Sequence, residues 1–216
     1  MDFSSNEPAS IFDHYVDRRF QARSFWLLIR CYERAVRHCG KYAREVAHDH
    51  FPYHRRTLFE DRWLKLAKAE GIPAASENNY AHNCHHTTIR IGSIVMIAQA
   101  VENPGDPVRR AIFRNTLAES NQRLLFENQR IKPVADSPLL ALLLHGPTTS
   151  KVPYFADIMF PLPDLPGLNA YHEERISLFA RFPKLVQRIE TPKEETILDS
   201  IEPQIRTDIP KTGDDV

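Results

Sequence analysis

Apolar side chains recur at Phe12, Val16, Phe20, Leu27, Cys31 and Ala35, close to the helical period. Ser10 supplies a cap and Asp13 a first-turn carboxylate, so the pattern predicts one long helix from Ser10 to about Cys39. A second face carries Phe25, Trp26, Ile29, Tyr32 and Val36. The middle of that segment is therefore apolar almost all round, as in a central bundle helix. Gly40 breaks or kinks it, and Lys41 to His50 continues it until Phe51-Pro52, because proline restricts the residue before it. Arg55 to Glu70 reads as a second helix, with Leu58, Trp63, Leu64 and Ala67 inward and Gly71 as its stop. After a linker, Asn79 to Val101 reads as a third, with Tyr80, Cys84, Ile91, Val95 and Ala98 on its core face. Asp106-Pro107 opens a fourth, a capping Asp followed by Pro at the first helical position, and Phe113, Leu117, Leu124 and Ile131 point inward.

Beyond Pro133 the pattern changes, and seven of the sixteen prolines fall between Pro133 and Pro166. Leu139 to Leu144 is a continuous apolar run between Ser137-Pro138 and Gly146-Pro147, which suits a short helix or a buried strand equally. Tyr154 to Phe160 reads as extended, and Asn169 to Phe182 as helical with Glu173 and Glu174 in its first turns. Residues 191–216 are polar and acidic, the composition of a disordered tail. The expected architecture is mainly α: a bundle of about four long helices over 9–131, a Pro-rich segment of short elements over 132–190, and the acidic tail.

Composition narrows the function classes. The chain has 216 residues, 28 Lys+Arg against 28 Asp+Glu, and 42% hydrophobic residues, ordinary values for a soluble globular domain. With only seven glycines it carries no G-x-G-x-x-G, no P-loop and no G-x-S-x-G elbow, so the usual phosphate cradles and the nucleophile elbow are missing. No signal-peptide pattern opens the chain and no apolar stretch approaches the roughly 20 residues of a membrane span, so no membrane partner is expected. Three cysteines (Cys31, Cys39 and Cys84) with no C-x-x-C pair argue against a disulfide framework and for a reduced, cytoplasmic setting. Cys31 and Cys39 fall on apolar faces and read as buried thiols.

Zero net charge hides an asymmetry. Ser10 to Glu70 holds 13 Lys+Arg against 8 Asp+Glu, whereas Leu185 to Val216 holds 4 against 8. Arginine outnumbers lysine 20 to 8, and arginine forks bind carboxylates and phosphates through paired hydrogen bonds. Arg109, Arg110, Arg114 and Arg123 give the fourth predicted helix a basic face for RNA, DNA or an acidic protein, and a homo-oligomer is a further option. Asn115, Asn121 and Asn128 add amides that read bases or face water.

The ten histidines cluster. His82, His85 and His86 lie together with Cys84, and on a helix His82 and His86 share a face. Imidazoles with a soft sulfur suit zinc or another divalent transition metal. Asn83 stands where a zincin needs its Glu, which excludes that protease class. His48, His50 and His54 form a second group, less well matched because Pro52 separates His50 from His54. This segment is a source for a third ligand if folding brings the clusters together.

Arg44 and His50 have five residues between them, a spacing that resembles the R-x(4–6)-H motif of HEPN-type helical ribonucleases. The resemblance covers two residues. It implies a helical bundle, commonly dimeric, in which Arg44 and His50 cleave RNA without metal. Two functions follow from the sequence. The first is a helical binding or regulatory module that engages an acidic partner through its Arg-rich face. The alternative is a His-dependent enzyme, either with a metal on His82 and His86 or with the Arg44–His50 pair.

Overall fold

A computed structural model describes residues 7–78, 85–108, 114–115, 117–119, 121, 138–163 and 170–190. The chain divides into two compact units, residues 1–183 and 184–216. In the first, helices α1 (Pro8–Tyr15), α2 (Arg18–Cys39) and α3 (Arg44–Ala69) precede strands β1 (Ala74–Asn78), β2 (His85–Ile91), β3 (Ile94–Ala100), β4 (Leu139–Gly146), β5 (Phe155–Pro161) and β6 (Tyr171–Ser177), and a short helix α4 (Leu178–Arg181) follows. A further helix, α5, spans Pro183–Glu190.

The six strands form one mixed sheet in the order β1-β2-β3-β4-β5-β6. Every neighbouring pair is antiparallel except β3 and β4, which run parallel from Ile94↔Leu139 to Ala100↔His145. A parallel pair needs a crossover, and the residues described in it (Arg114, Asn115, Leu117 to Glu119, Asn121) are helical.

The mainly helical bundle is thus overturned: 49% of the interpretable residues are helical and 28% are strand. The largest correction falls on the predicted 79–101 helix, whose described residues from 85 onward form β2 and β3. Its apolar spacing was compatible with a helix, but Thr87, Thr88, Ile89, Ile91, Ile94, Val95 and Ile97 are β-branched and crowd a helical turn. Gly92 takes φ +56°, and Gly92-Ser93 closes a two-residue hairpin between Ile91 and Ile94. Leu139 to Leu144 resolves as strand β4, buried throughout. Residues 171–177, expected to be helical, form an edge strand with alternating burial.

The helical corrections are smaller. The predicted 10–39 helix breaks at Val16-Asp17, where Asp17 accepts the Arg19 N–H and caps α2. Pro52 does not end its helix: α3 runs through it. Pro52 has no N–H to offer the His48 carbonyl, and exposure of that turn leaves the carbonyl to water. The predicted acidic tail lies outside the described residues.

Each sheet face has its own cover. Val95, Ile97, Val101, Leu140, Leu142, Leu144, Phe155, Met159 and Tyr171 form one core, closed by Val108 and Leu117 from the crossover. The alternate residues meet the helices: Phe160 packs edge-on against Phe12, and His145 lies between Tyr32 and Phe59. Polar contacts also tie α3 to β2. The Thr87 N–H donates to Glu60 Oε2 at 2.5 Å, and Arg56 donates to the His85 carbonyl at 3.0 Å.

One buried amide replaces missing strand pairing. The β5–β6 register shifts between Met159 and Pro161, and the β4–β5 ladder starts only at Leu142. Asn121 is 0% exposed and fills this place. It accepts the Leu140 N–H at 2.7 Å and donates to the Leu140 and Pro161 carbonyls, both at 2.9 Å. An amide expected to read bases or face water is therefore a sheet component. Asn121→Ala strands a buried N–H and two carbonyls, and should cost about 2–3 kcal/mol in urea unfolding, against under 0.5 kcal/mol for Asn103→Ala in the exposed turn.

Candidate metal centre

The last turn of α2 and the first half of α3 bring three histidines together. One ring nitrogen each from His38, His50 and His54 lie within 4.8 Å of one another, and all three side chains are half-buried. His50 and His54 share a face of α3 because the helix continues through Pro52 and keeps them four residues apart. His38 comes from α2 and stacks on His54, with ring centroids 4.0 Å apart and planes 16° from parallel. His50 lies 5.9 Å from His38 and 5.5 Å from His54, centroid to centroid.

This is a ligand set for a borderline ion such as zinc. Zinc holds imidazole nitrogens at about 2.0–2.1 Å, so its ligands sit roughly 3.4 Å apart. Binding would draw nitrogens that lie within 4.8 Å of one another to that spacing, and would turn His38 and His54 out of their near-parallel stack. Burial holds the His54 pKa below the ordinary histidine value, and repulsion from His38 and His50 lowers it further. The neutral imidazole so favoured is the form that ligates.

A buried layer beneath the cluster fixes the two helices against each other. Arg55, next to His54, is 1% exposed. Its guanidinium carbon lies 4.4 Å from the centre of the Tyr32 ring and 5.4 Å from that of Phe51. Arg55 Nη1 donates to the Thr148 carbonyl at 3.0 Å and to the Pro147 carbonyl at 3.4 Å. Arg55 also hydrogen-bonds the Tyr32 phenol, which lies 2.9 Å from His145 Nδ1. Burial raises the Tyr32 pKa to about 12 and, with Arg55 adding to it, lowers that of His145 to about 3. Both groups are neutral at pH 7, so with Arg55 donating to its oxygen Tyr32 donates to a neutral His145.

Of the residues singled out from sequence, the described ones lie as follows. His82 and Cys84 lie outside the described residues. His85 and His86 are consecutive in β2, so their side chains leave opposite faces, and the helical spacing that linked His82 to His86 does not extend into that strand. His86 lies 3.8 Å from Glu77. Arg44 opens α3 and is exposed, about 120° around the helix from His50, and the sheet replaces the all-helical bundle that the ribonuclease resemblance implies. Arg109, Arg110 and Arg123 lie outside the described residues, while Arg114 is half-buried and donates to Gln99 Oε1 at 3.1 Å. Cys31 and Cys39 are buried free thiols, as expected. His38 was missed altogether, because it lies 12 residues before His50 and only the helix hairpin brings it near.

Set against protein-family models, curated proteins and solved structures, the chain matches none. Among the described residues no helix is long and apolar enough to cross a membrane.

The buried His145 makes stability pH-dependent. Its pKa is about 3 when folded, against about 6.5 in an unfolded chain. The unfolded state therefore binds the extra proton below pH 6.5. The stabilisation is complete above that pH and is lost as pH falls towards 3. Between pH 6.5 and 5, where carboxylates contribute little, urea unfolding of His145→Gln should show a shallower pH slope than the parent, by up to about 1.4 kcal/mol per pH unit. Equal slopes would mean that the His145 ring takes a proton in the folded state.

Proposed function

We propose that this is a transition-metal-binding protein whose ion, zinc by preference, is held by His38, His50 and His54. The observation that carries the reading is the convergence of three imidazole nitrogens within 4.8 Å from two helices. The ligand chemistry supports a borderline divalent ion over calcium or magnesium, which prefer oxygen. The metal half of the sequence reading thereby moves from His82 and His86 to the helix hairpin. The reading of an acidic partner gains no comparable support, since the one described arginine of its expected face, Arg114, is engaged with Gln99.

The test is zinc titration of untagged, chelator-treated protein by calorimetry, with elemental analysis after dialysis. About one equivalent should bind to the parent and to His82→Ala/His86→Ala, and none to His50→Ala/His54→Ala. Zinc at 100 times its Kd should add about 2.7 kcal/mol and raise the melting temperature by roughly 5–10 °C. A chelator should reverse the shift. Zinc retained by His50→Ala/His54→Ala would sink the assignment, as would no binding to the parent.

A further inference from the structure

Three imidazoles leave a tetrahedral ion one position, and whether that position is open to water or closed by the chain decides what the centre does. Tyr42, in the turn between α2 and α3, lies beside two of the three histidines. Its hydroxyl lies 3.4 Å from His38 Nε2. That is long for a phenol–imidazole hydrogen bond, whose usual length is about 2.8 Å, but it equals the roughly 3.4 Å between two ligands that share a tetrahedral zinc. The Tyr42 ring sits edge-on to both α-helical partners, 5.8 Å from His38 and 5.6 Å from His50.

The turn holds it there. The Tyr42 N–H donates to the Cys39 carbonyl at 3.0 Å and the Lys41 N–H to that of His38 at 3.4 Å, so the backbone between ligand and phenol is tied to the end of α2. Charge argues the same way. Three neutral imidazoles leave both charges of a divalent ion uncompensated, and an oxygen anion as fourth ligand reduces them to one.

We infer that the Tyr42 hydroxyl is the fourth ligand, so that the centre is a closed N3O site which ties the α2–α3 turn to both helices. The inference rests on the three-histidine reading above. On binding, the phenol O–H bond breaks, its proton passes to solvent, and an oxygen–metal bond forms. With that position taken by the chain, the ion has no water of its own to activate. It acts by ordering residues 38–54 rather than by hydrolysis.

Copper(II) separates the possibilities, because a phenolate ligand gives copper an intense visible charge-transfer band that imidazoles alone do not. One equivalent of copper(II) should give this band in the parent and in Tyr53→Phe, a nearby exposed tyrosine, but not in Tyr42→Phe. Tyr42→Phe keeps the ring on His38 and His50 and should still bind one equivalent, with zinc affinity reduced about tenfold or more. Its unfolding in urea without metal should match the parent, since Tyr42 is 46% exposed. One equivalent bound with no band, or with a band that survives in Tyr42→Phe, would overturn the fourth ligand and leave an open three-histidine site. Failure of the parent to bind either copper or zinc would remove the centre itself, and this inference with it.

Discussion

A guanidinium cannot be buried alone. Stripping its water costs several kcal/mol, and only well-placed acceptors and ring faces offset that. Arg55 is 1% exposed, and its partners come from three separate parts of the chain: Tyr32 on α2, Phe51 on its own helix, and the Pro147 and Thr148 carbonyls after β4. Only one placement of α3 satisfies them together. A slide of α3 by one turn, about 5.4 Å, would leave the charge buried and unpaired. This is why His50 and His54 meet His38 rather than pass it. Tyr32 extends the constraint into the sheet through His145, so the end of β4 is fixed by the same group.

Burial sorts the histidines into two kinds. His145, held near a pKa of 3, is neutral at pH 7 and serves as an acceptor for Tyr32. His38, His50 and His54 are half-buried, which keeps nitrogens within reach of an ion from solvent. Glu60 and Asn121 are of the first kind. Each satisfies backbone groups of the sheet, and neither is placed to do chemistry.

The sequence was legible where one periodicity ruled. α2 and the second half of α3 stood out through Phe25, Ile29, Tyr32, Trp63 and Ala67, all of them buried. The hairpin of β2 and β3 was misread because Ile91, Val95 and Ala98 also fit a helical stripe. The decisive marks were Gly92-Ser93 and the β-branched runs on either side of it. β4 could not be settled from sequence, since a strand buried on both faces shows no alternation. The site was half legible. His50 and His54 read as a less well matched group, a source of a third ligand only, because Pro52 separates them, although tertiary packing of α3 outweighs the roughly 3 kcal/mol that an interior proline costs. Nothing local marked His38 or Tyr42, because their partnership with α3 is a product of the fold.

The position of the centre bears on what an ion can do there. In small zinc-dependent domains the metal is the core, and the chain is unfolded without it. Here both sheet faces are covered by apolar side chains, and Asn121 and Glu60 hydrogen-bond backbone groups of the sheet without help from any ion. Free energy from an ion therefore falls on the helix hairpin, where the turn between Cys39 and Arg44 is exposed apart from its backbone bonds. An ion held there, as proposed, would add local order to the α2–α3 hairpin and leave the sheet unchanged.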